Sequence, residues 1–162
     1  MNTATATAAQ TFLVGMGETA VLHDEDTARA VVGSCIGLVL YHRRQKIAAM
    51  THIVLPEAAG RPGLPGKFAD TAIPHLLSLL GKEGAHASGL VAVMAGGARM
   101  FGKPGPLQIG VANNDAVSAA LEKLGITVRG TDVGGDKGRR MTFNCATGQL
   151  TVEIAGQSPV VL

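Results

Sequence analysis

The sequence has no tryptophan, one tyrosine and four phenylalanines, so aromatic side chains make up only 3% of its 162 residues. Charge is sparse too: 16% of residues are charged, and 14 Lys and Arg against 12 Asp and Glu leave a net charge of +2. These two shortages argue against a nucleic-acid binder, which needs a dense basic face and often stacking aromatics. The single basic cluster, Arg43-Arg44-Gln45-Lys46, reads as a solvated hairpin tip. Two cysteines, Cys35 and Cys145, cannot build a disulfide framework. Neither has a C-x-x-C partner and the five histidines show no H-x-x-x-H spacing, so no metal site is expected. The strongest apolar runs, Ile36–Tyr41, Leu76–Leu80 and Leu90–Ala95, are far shorter than the roughly 20 residues of a membrane-spanning helix. The first ten residues, MNTATATAAQ, carry no Lys or Arg. They predict a flexible tail over residues 1–10, no secretory leader, and a cytoplasmic protein whose thiols stay reduced.

Apolar residues are abundant at 46%, which excludes disorder as the overall state. With so few aromatics the core must be built from Val, Leu, Ile, Ala and Met. The length predicts one domain over residues 11–162. Short β-like runs come first: Thr11–Val14, Thr19–His23, Ala28–Val32, Ile36–Tyr41 and Ile47–Leu55. The last two read as a hairpin around a basic loop, His42–Lys46. Residues Glu57–Gly66 are too rich in Gly and Pro for a regular element and predict a loop. Ile73, Leu76, Leu77 and Leu80 form one helical stripe, with Asp70 or Thr71 as cap, Pro74 in the first turn and Gly81 or Gly84 at the end. Val117, Ala120, Leu121 and Leu124 form a second stripe over Asn114–Leu124, with Asn113 or Asn114 as cap and Gly125 beyond. Leu90–Ala95 reads as a buried strand and Thr127–Asp132 as another. Met141–Asn144 and Gln149–Ile154 form a closing hairpin. Strands greatly outnumber helices, so the class is α+β or layered α/β.

Two glycine-rich stretches invite a phosphate-binding reading. Gly97–Lys103 nearly fits a P-loop, but position 104 is Pro, which supplies no hydroxyl for Mg²⁺ and opens no helix. Asp132–Arg140 reads as a wide turn between strands, with an anion-binding nest of glycine amides as the alternative.

Cys35 carries more chemistry. It follows Gly33-Ser34 and precedes an apolar strand, a setting in which a sharp turn presents a nucleophile with free amides nearby to hold an oxyanion. The competing reading is a buried structural thiol. His52 sits in an otherwise apolar strand and is either a core histidine or a base aimed into a cleft. The hairpin brings the two strands side by side, which is the nucleophile–base pairing that thiol chemistry requires. Cys145, inside a terminal hairpin, has no such setting. Met100 and Phe101 follow Gly96-Gly97 in a loop, and read as exposed partner-binding residues.

Taken in order, Gly33-Ser34-Cys35, His52-Ile53-Val54-Leu55-Pro56 and Lys67-Phe68-Ala69-Asp70-Thr71-Ala72-Ile73-Pro74 resemble the chemoreceptor glutamine deamidases, the CheD family. Gly96-Gly97-Ala98-Arg99-Met100-Phe101, Ile109-Gly110, Asn113 with Ala116-Val117, and Asp132-Val133-Gly134-Gly135 agree, so the likeness runs from about Thr11 to Ile154. The resemblance implies a layered α/β/β sandwich of mixed and antiparallel strands, with two main helices packed on one side. It implies conversion of glutamine side chains to glutamate in the helical cytoplasmic part of chemoreceptors, and in some members hydrolysis of receptor methyl esters. It also implies a CheC-type chemotaxis phosphatase as partner, with no cofactor and no membrane insertion. Cys35 would be the nucleophile, His52 the base, and the backbone amides of Ser34 and Cys35 the oxyanion donors. The family's Thr six residues before the Cys is replaced by Arg29, with Thr27 two residues earlier. Arg has no acceptor to offer His52. The third catalytic member is therefore open between Thr27, Arg29 and a backbone carbonyl. Ala112 stands where the family has Arg. Loss of activity, leaving a binding module that regulates a phosphatase or receptor, is the competing function.

Overall fold

Strand β4 (Ile36–His42) is buried at every position, because apolar residues on both of its faces let it lie in the middle of a sheet covered on both sides. It pairs antiparallel with β5 (Ile47–Ile53) through the predicted hairpin, and on its other edge with β6 (Leu90–Gly96). Strands β2 (Thr19–His23) and β7 (Thr127–Val133) complete this sheet in the order β2-β5-β4-β6-β7, with β6 and β7 parallel. The second sheet has the order β1-β3-β8-β9-β10, built from Thr11–Leu13, Thr27–Val32, Arg139–Asn144, Gln149–Glu153 and Val160–Val161. In β3, Ala28, Ala30 and Val32 are buried while Arg29 and Val31 are exposed, as a sheet with one solvated face requires. The computed structural model describes residues 8–100 and 108–162.

The layers follow from which side chains alternate where. Val39, Tyr41, Met50, Val93 and Ala95 of the first sheet pack on Ala28, Val32, Met141 and Phe143 of the second. Ile36, Leu38, Leu40, Ala49 and Met94 face the other way, onto α1 (Ala69–Lys82) and α2 (Ile109–Lys123). The result is the expected α/β/β sandwich with both helices on one side. Among the described residues no helix is long and apolar enough to cross a membrane.

Both helices begin earlier than their stripes suggested. α1 is entered from Phe68 with no side-chain cap. Asp70 instead accepts from the Ala58 amide at 3.0 Å, and the Thr71 hydroxyl donates to the Pro65 carbonyl at 2.6 Å, so both fasten the preceding loop. Pro74 consequently lies inside the helix rather than in its first turn. That loop also carries a short 3-10 turn, Pro65–Lys67. α2 starts five residues before Asn114, which puts Asn113 inside the helix and wholly buried rather than at a cap. Gly84 and Gly125, at φ +81 and +70, do follow the helix ends.

Candidate active site

The site lies between the sheets, where β4 begins and β5 ends. Gly37 is opposite His52 in the register. Cross-strand partners share a face and residues two apart along a strand share it too, so Cys35 and His52 both point into the inter-sheet layer as diagonal neighbours. Such neighbours stand roughly 7–8 Å apart. Gly37 is needed between them: a Cβ there would lie 2.0 Å from the Sδ of Met141, which reaches across from the second sheet.

His52 is only 5% exposed, and its Nδ1 lies 3.0 Å from the Val14 carbonyl oxygen. A carbonyl only accepts, so Nδ1 is the donor in this bond, and in the neutral ring that leaves the Nε2 lone pair free. The surrounding backbone is tied down. The Val14 amide donates to the Arg29 carbonyl at 2.8 Å, the Gly17 amide to the His52 carbonyl at 2.8 Å, and the His52 amide to Glu18 at 3.3 Å. Arg29 therefore serves the histidine through its main chain, while its side chain is exposed on the outer face of the second sheet. The Thr27 hydroxyl lies 3.0 Å from that of Thr11 on the same outer face. Neither side chain proposed for the third position bonds His52.

Cys35 is 9% exposed, and burial pushes its thiol pKa up. The resting thiol is therefore protonated at neutral pH, and a base must take its proton as it attacks. Among the described residues the Ser34 and Cys35 amides donate to no acceptor. The Cys35 carbonyl accepts from the Gly97 amide at 2.8 Å, and Gly33 from Ala98 at 2.8 Å. Gly96 makes this approach possible at φ +119, since a Cβ there would sit 2.1 Å from the Cys35 carbonyl oxygen. From the helix layer, the side-chain amide of Asn113 donates to Ser34 at 3.0 Å and to Val54 at 2.9 Å.

A family model described as CheD, chemotactic sensory transduction, matches residues 54–154. A protein of Methanococcus vannielii named probable chemoreceptor glutamine deamidase CheD is 39% identical over 141 residues, covering 86% of this chain and 92% of its own. One of Thermotoga maritima, named chemoreceptor glutamine deamidase CheD, is 37% identical over 145 residues, 89% of this chain and 92% of its own. A Desulfitobacterium hafniense protein named probable chemoreceptor glutamine deamidase CheD is 43% identical over 137 residues, 82% of this chain and 86% of its own. The chain belongs to the CheD family.

The family's motifs have structural work to do around the two residues. The Lys67 carbonyl accepts from the Val54 and Leu55 amides, and the Ala69 amide donates back to Leu55, so the K-F-x-D-T-A segment anchors the chain as it leaves His52. Arg139, 4% exposed, donates to the carbonyls of Asp132, Gly134 and Lys137 and to the Asp132 carboxylate. The glycine-rich loop at 132–140 thus turns carbonyls inward onto a cation, as a wide turn does and an anion nest does not. It braces the Cys35 side of the site, because the Gly134 amide donates to Gly96 and the Arg99 amide to Gly135. Met100 is 44% exposed and leans on Gly33. Phe101 lies outside the described residues.

Cys145 follows β8, at the end of the sandwich where Tyr41 and Lys46 lie. It is fully buried, its Sγ donates to the Lys46 carbonyl at 3.4 Å, and burial, with Asp26 and Asp24 nearby, pushes its pKa up to about 12. A thiol raised above its ordinary 9.0 in the folded state stabilises the fold fully below pH 9. That stability is lost as pH rises toward 12, by up to about 1.4 kcal/mol per pH unit. Denaturant melts between pH 8 and 11 should show this descent, and Cys145→Ala should flatten it. An equally steep descent in the variant would remove Cys145 as the cause.

Sequence reasoning missed Val14 and misplaced Asn113. Val14 acts through a carbonyl, which no residue type announces. Asn113 had a signal: it stands four residues before Val117 and eight before Leu121, a polar residue continuing an apolar stripe.

Proposed function

We propose that the protein is a cytoplasmic protein-glutamine deamidase of chemotaxis, converting glutamine side chains in the helical part of chemoreceptors to glutamate. The observation that carries this is a His52 whose Nδ1 is held by a carbonyl, one diagonal step from Cys35 across β4 and β5, in a chain related along most of its length to proteins named for that activity. His52 Nε2 takes the thiol proton while Sγ bonds to the carboxamide carbon, and the amides of Ser34 and Cys35 receive the oxyanion. As the C–N bond breaks, the imidazolium returns the proton to nitrogen and ammonia leaves, with a thioester on Cys35. His52 then deprotonates water, hydroxide adds to the thioester carbonyl, and collapse restores the thiol and releases glutamate. No cofactor enters the scheme. Incubation with receptor cytoplasmic fragments, read by mass spectrometry at each glutamine, tests the proposal. No Gln-to-Glu conversion at any site would refute it.

The Val14 carbonyl takes the orienting role in this mechanism. Thr27→Ala and Arg29→Thr should therefore each change the deamidation rate by less than about tenfold, or 1.4 kcal/mol. A collapse of activity in Thr27→Ala would transfer the role to Thr27. Replacement of the family's Thr by Arg29 accordingly gives little ground for an inactive module.

Met100, exposed beside Gly33, is assigned to the surface that meets a CheC-type phosphatase. Met100→Asp should weaken that complex in a titration while leaving alkylation of Cys35 by iodoacetamide unchanged. Unaltered binding would remove Met100 from the interface.

A further inference from the structure

Asn113 is the one polar side chain among the buried residues of α2. It continues the face that carries Val117 and Leu121, both fully buried, where an apolar residue would pack without leaving polar atoms unpaired. Its Oδ1 is buried with no partner, an unfavourable state. What the residue does make is specific. One nitrogen, Nδ2, donates both to the Ser34 carbonyl at 3.0 Å and to the Val54 carbonyl at 2.9 Å. Ser34 immediately precedes Cys35, and Val54 lies two residues after His52. The bond to Val54 ties the exit of β5 to the entry of β4, just past their last register pair, Ile36 with Ile53. The bond to Ser34 reaches further. In a trans peptide the carbonyl and the following N–H point in opposite directions. Fixing the Ser34 carbonyl toward α2 therefore fixes the Cys35 N–H pointing away from it.

We infer that Asn113 is a positioning residue for the reaction, a clamp from the helix layer that orients the Cys35 amide and holds the strand ends bearing Cys35 and His52 in register. This rests on the proposed function for the meaning of the amide, but the clamp itself can be tested without substrate. Leucine matches asparagine in the number and branching of its side-chain heavy atoms and donates nothing, so Asn113→Leu removes the clamp while filling the space. Leu121→Ala, two turns along the same helix, is the control for loss of stability alone. Both are assayed well below their melting temperatures.

The expected result for Asn113→Leu is a fall of roughly 10²-fold in kcat with KM little changed, the usual scale for a small displacement of reacting groups. Alkylation of Cys35 by iodoacetamide should slow at neutral pH, because His52 is no longer held where it accepts the thiol proton. Leu121→Ala should lose stability and keep both rates. A folded Asn113→Leu with kcat and alkylation within about threefold of the natural protein would overturn the inference, as would an equal loss in Leu121→Ala.

Asn113→Asp covers the case in which the leucine variant does not fold. When protonated, the introduced carboxyl still donates to one carbonyl, and when ionised it donates to neither and repels both. Cys35 alkylation in that variant should rise with pH and then fall while the protein is still folded by circular dichroism. The natural protein should only rise. A profile parallel to the natural one overturns the inference. Absence of deamidation in the natural protein would count against the proposed function, and the alkylation contrast would still decide the clamp.

Discussion

Cys35→Ala is expected to abolish glutamine deamidation, by at least about 10⁴-fold, with the fold retained. The reaction as proposed runs through a thioester on Cys35, which alanine cannot form. The loss is chemical rather than structural, because Cys35 precedes β4 and alanine removes a single heavy atom from its side chain. Cys145→Ala is the matching control. That thiol is buried under the closing hairpin, bonded to Lys46 and held protonated, so its removal should leave the rate unchanged. The measurement is initial-rate deamidation of a receptor fragment by both variants. Equal rates for Cys35→Ala and the natural protein would end the cysteine mechanism.

His52→Gln is expected to cost about 10²–10⁴ in rate, the range for loss of a general base. Glutamine is chosen because its amide can still donate to the Val14 carbonyl, so the acceptor that holds His52 is not left empty. The pH dependence separates this from a structural effect. Burial already raises the Cys35 pKa above its ordinary 9.0. Without an internal base, attack has to wait for thiolate formed by exchange with solvent. Residual activity and iodoacetamide labelling should therefore keep climbing through pH 9, where the natural protein has a base at hand at lower pH. A variant labelling as fast as the natural protein at pH 7 would make His52 a satisfied core histidine.

The sandwich was largely legible because its strands obey simple alternation. Apolar runs between turn residues marked Ala28–Val32 and Ile36–Tyr41 as strands, and the fully apolar Leu90–Ala95 as a buried one. The hairpin from β4 to β5 was enough to place Cys35 and His52 on neighbouring strands. Helix starts were less legible. The helix entries at Phe68 and Gln108 carry no side-chain cap, and the polar residues that looked like caps were engaged elsewhere, Asp70 and Thr71 on a loop and Asn113 on the carbonyls of Ser34 and Val54. A capping residue and a residue that bonds distant backbone have the same composition, so local spacing does not separate them.

Fold class, family and the two residues proposed to react were readable from the chain alone, because each is written in side-chain identity and in periods of two or 3.6 residues. What surrounds those two residues came from tertiary packing. The partner of His52 is the carbonyl of Val14, 38 positions away, held in place by the carbonyl of Arg29. The Ser34 carbonyl, which precedes the Cys35 amide, accepts from Asn113, 79 positions away. Main-chain groups are the same in every residue, so which of them meets a given ring or amide is fixed by packing and register rather than by local sequence. That is also why Arg29 can occupy a position where the family has Thr: what reaches the site from there is the backbone, and its side chain faces solvent.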